Sequence, residues 1–328
     1  MLKVGINGFG RIGRMTYRAS LDQEEVEVVA VNDLADNHSL AHLLKYDSIY
    51  GILDAEVESD EQGFLIDGER VRVFSEREPA KIPWKEAGVD VVIECTGIFT
   101  KREAAAAHLD AGAERVIISA PAAVDLVVVL GVNEHLYDPE KHFVISNASC
   151  TTNALAPLVK VLHDNFGVVK GLMNTTHAYT NDQNLHDFPH KDMRRARAAA
   201  LSLIPTSTGA AKTVGEVIPE LKGKIDGFAI RVPIPTVSLV DFVVQLEKNV
   251  TVEGVNETFK KAAEGSSYLA YSDEPLVSVD YTGNPYSVTV DGQSTMIVQD
   301  SMVRVVGWYD NEWGYSCRLI DLAAMIAK

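Results

Sequence analysis

The first half of the chain alternates short apolar runs with stretches of helical spacing. Apolar runs of strand length, separated by helical segments, are typical of a parallel sheet covered by helices. We therefore predict an α/β domain at the start of the chain. Its strands are expected at 3–7, 26–33, 89–97, 114–121, 125–133 and 142–149, and its helices near 11–20 and 101–112.

A different pattern interrupts this alternation at residues 56–74. Apolar and polar residues alternate there one by one, around Gly63 and Gly68. Alternation with a period of two, broken by glycines, is typical of short antiparallel strands. The segment is therefore predicted to be an antiparallel insertion in the first domain.

The second half of the chain has longer strand-like segments and fewer helices between them. The strand-like segments are 168–180, 227–248 and 296–310, with helical candidates near 209–219 and 252–264 and an apolar helical stretch at 316–328. Strands that outnumber crossover helices favour an antiparallel sheet. We predict an α+β domain with a mostly antiparallel sheet and a domain boundary near residue 149.

Length and composition agree with two globular domains and disfavour a membrane or a nucleic acid as partner. The chain has 328 residues, of which 46% are hydrophobic and 23% charged, and domains usually have roughly 100–200 residues. No secretory signal is evident, and the longest apolar runs are too short to cross a bilayer. A net charge of −16 disfavours a nucleic acid as primary partner.

The cysteines do not suggest a metal site or a disulfide framework. There are three, Cys95, Cys150 and Cys317, and no C-x-x-C motif or nearby His/Cys pair suggests zinc. We therefore expect no metal, and reduced thiols in the cytoplasm.

One basic cluster stands out in this acidic chain. The stretch "HKDMRRAR" contains Lys191, Arg194, Arg195 and Arg197. It is compatible with a solvated surface, with a salt-bridge network between subunits, or with attraction of an anionic ligand.

A glycine motif near the start predicts a dinucleotide site. Gly8, Gly10 and Gly13 form G-x-G-x-x-G between a predicted strand and a predicted helix, and Asp33 follows about 20 residues later. The glycines let the backbone approach a pyrophosphate at a helix N-terminus. The Asp33 carboxylate would bind ribose hydroxyls and repel a 2′-phosphate, so the predicted cofactor is NAD rather than NADP.

Cys150 is the candidate nucleophile. It follows the strand "FVIS" and precedes a stretch of helical spacing, so it is predicted at a helix N-terminus. The helix dipole would lower the pKa of its thiol there. Pro157 then falls inside the helix and predicts a local irregularity. A thiol nucleophile needs a proton acceptor, and His177, in "NTTHAYTNDQ", is the candidate base.

The motifs "SNASCTTNALAP", "HAYTNDQ", "PHKDMRRARAAALSLIPTSTGAAK" and "WYDNEWGYS" resemble those of the phosphorylating glyceraldehyde-3-phosphate dehydrogenases. The resemblance covers essentially the whole chain. It implies a Rossmann NAD domain at 1–149, a catalytic domain at 150–313, a helix at 314–328 that packs back on the first domain, and a homotetramer.

The same resemblance implies residue roles and a reaction. Cys150 and His177 would be nucleophile and base in the oxidation of glyceraldehyde 3-phosphate, with inorganic phosphate, to 1,3-bisphosphoglycerate through a thioester. The residues implied to contact NAD are Gly8, Gly10, Arg11, Ile12, Asp33, Arg77, Thr96, Ser119, Asn311 and Tyr315. The residues implied to bind the substrate phosphate are Thr180 and Arg231, and those implied to hold the attacking phosphate and the aldehyde are Ser149, Thr151, Thr208 and Gly209.

Alternatives of two classes remain at this point. An erythrose-4-phosphate dehydrogenase would share the nucleophile and the base, although "PTSTGAAK" favours the triose enzyme. RNA binding or adhesion at a cell surface would be a secondary role, which the acidic charge disfavours. One departure from many family members is Ala154, where they have a second cysteine.

Overall fold

A computed structural model describes residues 1–327 and divides the chain into two compact units. The first unit consists of residues 1–128, 135–148 and 316–327, and the second of residues 129–134 and 149–315. Each unit has its own large sheet.

The first unit contains eleven strands and five complete α-helices among the described residues. The strands are β1 (Leu2–Asn7), β2 (Val26–Asn32), β3 (Tyr46–Asp47), β4 (Gly51–Ile52), β5 (Val57–Asp60), β6 (Gly63–Ile66), β7 (Glu69–Phe74), β8 (Val91–Glu94), β9 (Arg115–Ile118), β10 (Leu126–Val127) and β11 (Val144–Ser146). The helices are α1 (Arg11–Ser20), α2 (Asn37–Lys45), α3 (Trp84–Ala87), α4 (Arg102–Ala105) and α5 (Ala107–Asp110).

The main sheet of the first unit confirms both sequence predictions for this part of the chain. Its order is β10-β11-β9-β8-β1-β2-β7-β6-β5. All pairs from β10 to β7 are parallel, and β7, β6 and β5 pair antiparallel. The chain leaves β1 towards β2 on one side and returns to β8 on the other. Ligands of such sheets bind at the carboxyl ends of the strands where this reversal occurs.

Two predicted elements of the first unit are shorter than expected. The helix predicted at 101–112 is two single turns, because the Leu109 N–H bonds the Ala106 carbonyl three residues back instead of four. The strand predicted at 125–133 ends after Val127. Here the Asn133 side chain accepts the Val129 N–H at 2.8 Å, so the chain turns away from the sheet.

The second unit contains eight strands and three complete α-helices among the described residues. The strands are β12 (Val168–Ala178), β13 (Ile204–Ser207), β14 (Ile225–Val232), β15 (Ser238–Leu246), β16 (Leu269–Ser272), β17 (Val288–Asp291), β18 (Met296–Val298) and β19 (Met302–Tyr309). The helices are α6 (Cys150–Phe166), α7 (Ala210–Val217) and α8 (Val252–Ala263); a last helix, α9 (Trp313–Ile326), begins in this unit and ends in the first.

The sheet of the second unit is mostly antiparallel, as predicted. Its order is β13-β14-β12-β15-β19-β17-β16, with β18 beside β19. Parallel pairing occurs between β12 and β14 and between β16 and β17. Along β15, alternate residues from Ser238 to Leu246 are buried, while the residues between them are partly or fully exposed. One face of the sheet therefore supplies the core.

Helix α6 begins at Cys150, as the sequence predicted. The Ser149 hydroxyl caps it by accepting the Thr152 N–H at 3.0 Å. The helix continues through Pro157 to Phe166, and a local irregularity at Pro157 stays a prediction. Burial of Leu155, Leu158 and Leu162 in the core offsets the one missing backbone hydrogen bond. No helix within residues 1–327 combines the length and the apolar character needed to cross a membrane.

Candidate active site

The glycine turn between β1 and α1 requires glycine for two physical reasons. Gly8 has a φ of +91°, and a Cβ on it would lie 2.8 Å from the main-chain nitrogen of Thr96. A Cβ on Gly13 would lie 2.2 Å from the Gly8 carbonyl oxygen. Gly10, in contrast, faces open space, where nothing lies within 4 Å of the Cβ position. The turn is therefore tightly packed at Gly8 and Gly13 and open at Gly10. This arrangement suits the binding of a phosphate by the backbone.

Asp33 directly follows β2 and forms a hydrogen bond with the main chain of this turn. One carboxylate oxygen accepts the Phe9 N–H at 2.8 Å, and the other accepts the Ala35 N–H at 3.0 Å. An ionised carboxylate has about four acceptor positions, so capacity remains for the two hydroxyls of a ribose. The residues present thus fit the dinucleotide that the sequence predicts.

The other predicted cofactor residues of the first unit lie near the same strand ends and differ in the hydrogen bonds and ion pairs that they make. The Thr96 N–H bonds the Glu94 carboxylate at 2.8 Å, and the Ser119 N–H bonds the Glu94 carbonyl at 3.0 Å. The Arg11 guanidinium pairs with Asp47 at 2.8 Å. Arg11 and its neighbour Ile12 would therefore serve a phosphate through the main chain of the first helical turn. Arg77 is exposed in the loop after β7.

In the second unit, two neighbouring strands place a histidine beside an arginine. His177 lies near the end of β12 and Arg231 near the end of β14, and the parallel register pairs the two residues directly. The first turn of α6 adds Cys150, whose Sγ lies 3.5 Å from His177 Nε2. The structure thus brings the predicted nucleophile and the predicted base into contact.

Two contacts bear on the ring nitrogens of His177. Nδ1 lies 2.7 Å from the Ala178 carbonyl oxygen, which can only accept, and 2.9 Å from Arg231 Nη1, which can only donate. The shorter contact favours a proton on Nδ1, which leaves the lone pair of Nε2 facing Cys150 Sγ. Arg231 Nη1 donates to the same carbonyl at 3.0 Å, which fixes the guanidinium beside the ring. The neutral imidazole is oriented to receive a proton from the thiol.

The electrostatics of the pair differ from the sequence prediction in one respect. Burial raises the pKa of the Cys150 thiol, while the positive charge of Arg231 and hydrogen bonds from Thr151 oppose that rise. Burial, reinforced by Arg231, lowers the pKa of His177 to about 3. The predicted lowering of the thiol pKa is therefore wrong, because desolvation outweighs the effect of the helix start. At neutral pH His177 is uncharged and is available as a general base.

The predicted substrate residues occupy two places in the second unit. Thr180 lies beside the pair, where its hydroxyl is 3.5 Å from Arg231 Nη1. The hydroxyl of Thr208 accepts the Ala210 N–H at 3.2 Å, and Gly209 precedes α7. Ser149 and Thr151 flank Cys150 at the start of α6. Helix starts and hydroxyls of this kind bind anions.

Comparisons with known proteins decide the family. Glyceraldehyde-3-phosphate dehydrogenase of Geobacillus stearothermophilus is 61% identical over 330 residues, which cover 100% of this chain and 98% of that protein. Glyceraldehyde-3-phosphate dehydrogenase 1 of Bacillus subtilis has the same identity and coverage, and the Priestia megaterium protein is 59% identical over 99% of this chain and 98% of its own. The chain belongs to the glyceraldehyde-3-phosphate dehydrogenase family.

Two family models match separate parts of the chain. The glyceraldehyde 3-phosphate dehydrogenase NAD binding domain matches residues 2–102, and the C-terminal domain of the same family matches residues 149–311. The first match contains the glycine turn and Asp33, so the cofactor is NAD, as predicted. The resemblance found in the sequence motifs is confirmed.

Sequence reasoning missed one buried residue of this candidate site. The hydroxyl of Tyr309 lies 2.9 Å from the hydroxyls of both Thr151 and Thr175, and its ring meets the His177 ring edge-on with centroids 6.1 Å apart. Tyr309 thus joins the first turn of α6 to β12. Its presence in the quoted motif "WYDNEWGYS" was the available signal, but the motif does not show which residues the tyrosine contacts.

The two predicted cofactor residues of the second unit are both buried. Asn311 Oδ1 accepts the Ser238 hydroxyl at 2.8 Å, and Ser238 Oγ accepts the Ala178 N–H at 3.1 Å. The Asn311 side-chain oxygen therefore already accepts a hydrogen bond, and the side-chain nitrogen of Asn311 is the group suited to donate to a ligand. Tyr315 lies in the first turn of α9.

The basic cluster of this family member is largely paired within the chain. Arg195 bonds Asp182 and the Thr206 hydroxyl, and Arg197 Nε lies 2.9 Å from Asp187. These ion pairs reduce the cluster's attraction for an anionic ligand. Within the described residues, no group of three or more His, Cys, Asp or Glu side chains is arranged to hold a metal ion.

Proposed function

We propose that this chain oxidises glyceraldehyde 3-phosphate, with inorganic phosphate, to 1,3-bisphosphoglycerate in glycolysis and gluconeogenesis. The contact that supports the proposal is the 3.5 Å separation of Cys150 Sγ and His177 Nε2, with Arg231 in register beside the histidine. A thiol next to an uncharged imidazole suits nucleophilic catalysis at an aldehyde. The family membership supports the choice of substrate.

The reaction starts with the thiol. Cys150 Sγ forms a bond to the aldehyde carbon as its proton passes to His177 Nε2, and Nε2 then gives that proton to the former carbonyl oxygen, which yields a hemithioacetal and a neutral imidazole. His177 then removes the hydroxyl proton while the hydrogen on carbon leaves with its electron pair. NAD, when bound, supplies the acceptor for that hydride. The product on Cys150 is a thioester.

The second half of the reaction conserves the acyl energy. An oxygen of inorganic phosphate attacks the thioester carbonyl, and the Cys150 thiolate leaves. The main-chain amides at the start of α6 can stabilise the oxyanion in both halves. Arg231 and Thr180 would hold the phosphate of the substrate, whereas Ser149, Thr151, Thr208 and Gly209 would hold the attacking phosphate and the aldehyde.

An assay of NADH formation tests this function directly. With glyceraldehyde 3-phosphate, the absorbance of NADH should rise only when phosphate or arsenate is present, because the thioester otherwise traps the enzyme after one turnover. Erythrose 4-phosphate, tested in parallel, should give a lower kcat/KM. Steady NADH formation without either anion, or a preference for erythrose 4-phosphate, would contradict the proposal.

We expect NAD to be preferred over NADP by about a hundredfold or more in kcat/KM, equivalent to about 2.7 kcal/mol. The Asp33 carboxylate, held between Phe9 and Ala35, would repel a 2′-phosphate. Asp33→Asn should lower the ratio of kcat/KM with NAD to kcat/KM with NADP. The control is Asp36→Asn, at an exposed acid that caps α2, which should leave the ratio unchanged. Similar values for the two cofactors in the unmodified enzyme would refute the expectation.

We further propose a homotetramer. The outer face of the sheet in the second unit exposes apolar side chains, among them Leu172 at 67%, Phe228 at 47% and Met302 at 44%. Such a patch is typical of a protein–protein interface. Light scattering coupled to size-exclusion chromatography should give four times the mass of one chain, and Leu172→Glu should reduce that mass. A single-chain mass at micromolar concentration would exclude the tetramer.

Two further assignments accompany this function. We propose that the first unit, with the end of α9, is the cofactor domain and that the second is the catalytic domain. We also propose a cytoplasmic location, since a catalytic thiol must remain reduced.

A further inference from the structure

Three polar side chains lie side by side at the carboxyl ends of three neighbouring parallel strands. Asn7 ends β1, Asn32 ends β2 and Glu94 ends β8, and the sheet register pairs Asn7 with each of the other two. All three are at most 4% exposed. Burial of such groups is costly unless their hydrogen bonds are made, so their partners determine what they do.

One series of hydrogen bonds reaches Glu94 from the main chain of Glu76. The Glu76 N–H donates to Asn32 Oδ1 at 2.8 Å and its carbonyl accepts from Asn32 Nδ2 at 2.9 Å, which fixes the orientation of the Asn32 amide. Asn32 Nδ2 also donates to Asn7 Oδ1 at 2.8 Å. The Asn7 nitrogen consequently faces Glu94 and donates to Oε2 at 2.5 Å.

A second series reaches the same oxygen from the opposite side. Trp84 Nε1 lies 3.0 Å from His108 Nδ1, and an indole N–H can only donate, so Nδ1 is the acceptor. The proton of the neutral imidazole is therefore on Nε2, which lies 3.0 Å from Glu94 Oε2. Trp84 and His108 are fully buried. Both series have a fixed direction, and both end at the Glu94 carboxylate.

The other oxygen of Glu94 holds the main chain next to the glycine turn. Oε1 accepts the Thr96 N–H at 2.8 Å and contacts the Thr96 hydroxyl. The same Thr96 nitrogen is the atom that a Cβ on Gly8 would meet at 2.8 Å. Glu94 therefore sets how closely the Thr96 main chain packs against the turn.

The residues joined in this way are the neighbours of the predicted cofactor contacts. Gly8 and Asp33 directly follow Asn7 and Asn32, Arg77 directly follows Glu76, and the Ser119 N–H donates to the Glu94 carbonyl at 3.0 Å. We call the seven residues that form these bonds the Glu94 network: Asn7, Asn32, Glu76, Trp84, Glu94, Thr96 and His108. Within this network, the bonds of Glu94 to Asn7 and Thr96 fix the lateral spacing of the loops that would hold NAD.

We propose that Glu94 is a positioning residue for NAD. It holds Thr96 and the Gly8 turn in the binding conformation before NAD arrives. A carboxylate is needed because both of its oxygens must accept hydrogen bonds. A glutamine amide accepts on one side only and would turn its NH₂ towards Thr96, or towards Asn7 and His108. The proposal rests on the assignment of Gly8 and Thr96 to the cofactor site.

The test is Glu94→Gln, with NAD binding measured by isothermal titration calorimetry. The dissociation constant is expected to rise about tenfold or more, since a buried donor is left without an acceptor where the loop must be held. The KM for NAD should rise with it while kcat stays near the unmodified value. Alkylation of Cys150 by iodoacetamide without NAD should be unchanged, because Cys150 belongs to the other unit.

The matched control is Trp84→Phe, which removes one buried hydrogen bond of the same network but leaves both Glu94 oxygens with their Thr96 and Asn7 partners. It should lower Tm while the NAD dissociation constant stays within about twofold. If both variants weaken NAD binding in proportion to their loss of Tm, Glu94 is only structural and the proposal is overturned. NAD binding by the unmodified protein tests the cofactor site separately from the role of Glu94.

Hydrogen exchange covers the case in which Glu94→Gln does not fold. In the unmodified protein without NAD, peptides that contain Gly8 and Thr96 should already exchange slowly. Fast exchange there, with protection only after NAD is added, would show that NAD itself orders the loops and would overturn the proposal.

Discussion

Cys150→Ser is expected to lower the rate of aldehyde oxidation by about three or more orders of magnitude while NAD binding persists. A serine hydroxyl remains protonated near neutral pH and is far less nucleophilic than a thiol. The helix start depends on the backbone and on the cap from Ser149, and serine is close to cysteine in size, so the fold should be unaffected. Steady-state kinetics and calorimetric titration with NAD measure the two effects.

The other cysteines provide the control for this experiment. Cys317 lies in α9, so Cys317→Ala should leave the rate nearly unchanged. Cys95 is also a poor candidate nucleophile, because burial and the charge of Glu94 both raise the pKa of its thiol, to about 12, whereas Arg231 opposes the rise at Cys150. Near-normal turnover of Cys150→Ser would remove this residue from the mechanism.

His177→Asn is expected to lower the oxidation rate by about two to three orders of magnitude, which lies within the range typical of a lost general base. The variant loses the acceptor that lies 3.5 Å from Cys150 Sγ. The effect should be smaller than that of Cys150→Ser, because the nucleophile remains and Arg231 still favours the thiolate. The thiol should also react more slowly with iodoacetamide, which reports on activation of Cys150 independently of hydride transfer.

A second histidine allows a matched comparison. His163 lies in α6 and accepts the Val168 N–H at 3.1 Å, so His163→Asn should change neither the oxidation rate nor the alkylation rate appreciably. An iodoacetamide rate that is unchanged in His177→Asn would argue against His177 as the activating base, even if turnover falls.

The sequence by itself determined the features that depend on local spacing. Periods of two and of 3.6 residues indicated a parallel sheet with an antiparallel insertion, followed by a mostly antiparallel sheet. The glycine turn after β1 and the start of α6 at Cys150 also follow from short stretches, because steric limits and capping act over a few residues. Two predicted elements were too long, the helix at 101–112 and the strand at 125–133. In each, a single hydrogen bond, to the Ala106 carbonyl or to the Asn133 side chain, departs from the regular pattern.

Only the tertiary structure decided which distant residues meet and what burial does to them. His177 and Arg231 become neighbours because β12 and β14 pair in parallel, and Glu94 receives its partners because β8 and β1 are adjacent. Strand order is set by packing across the whole sheet, so the hydrophobic pattern of one strand does not contain it. The pKa of the Cys150 thiol likewise depends on desolvation by surrounding residues, which outweighs the helix start that the sequence reveals.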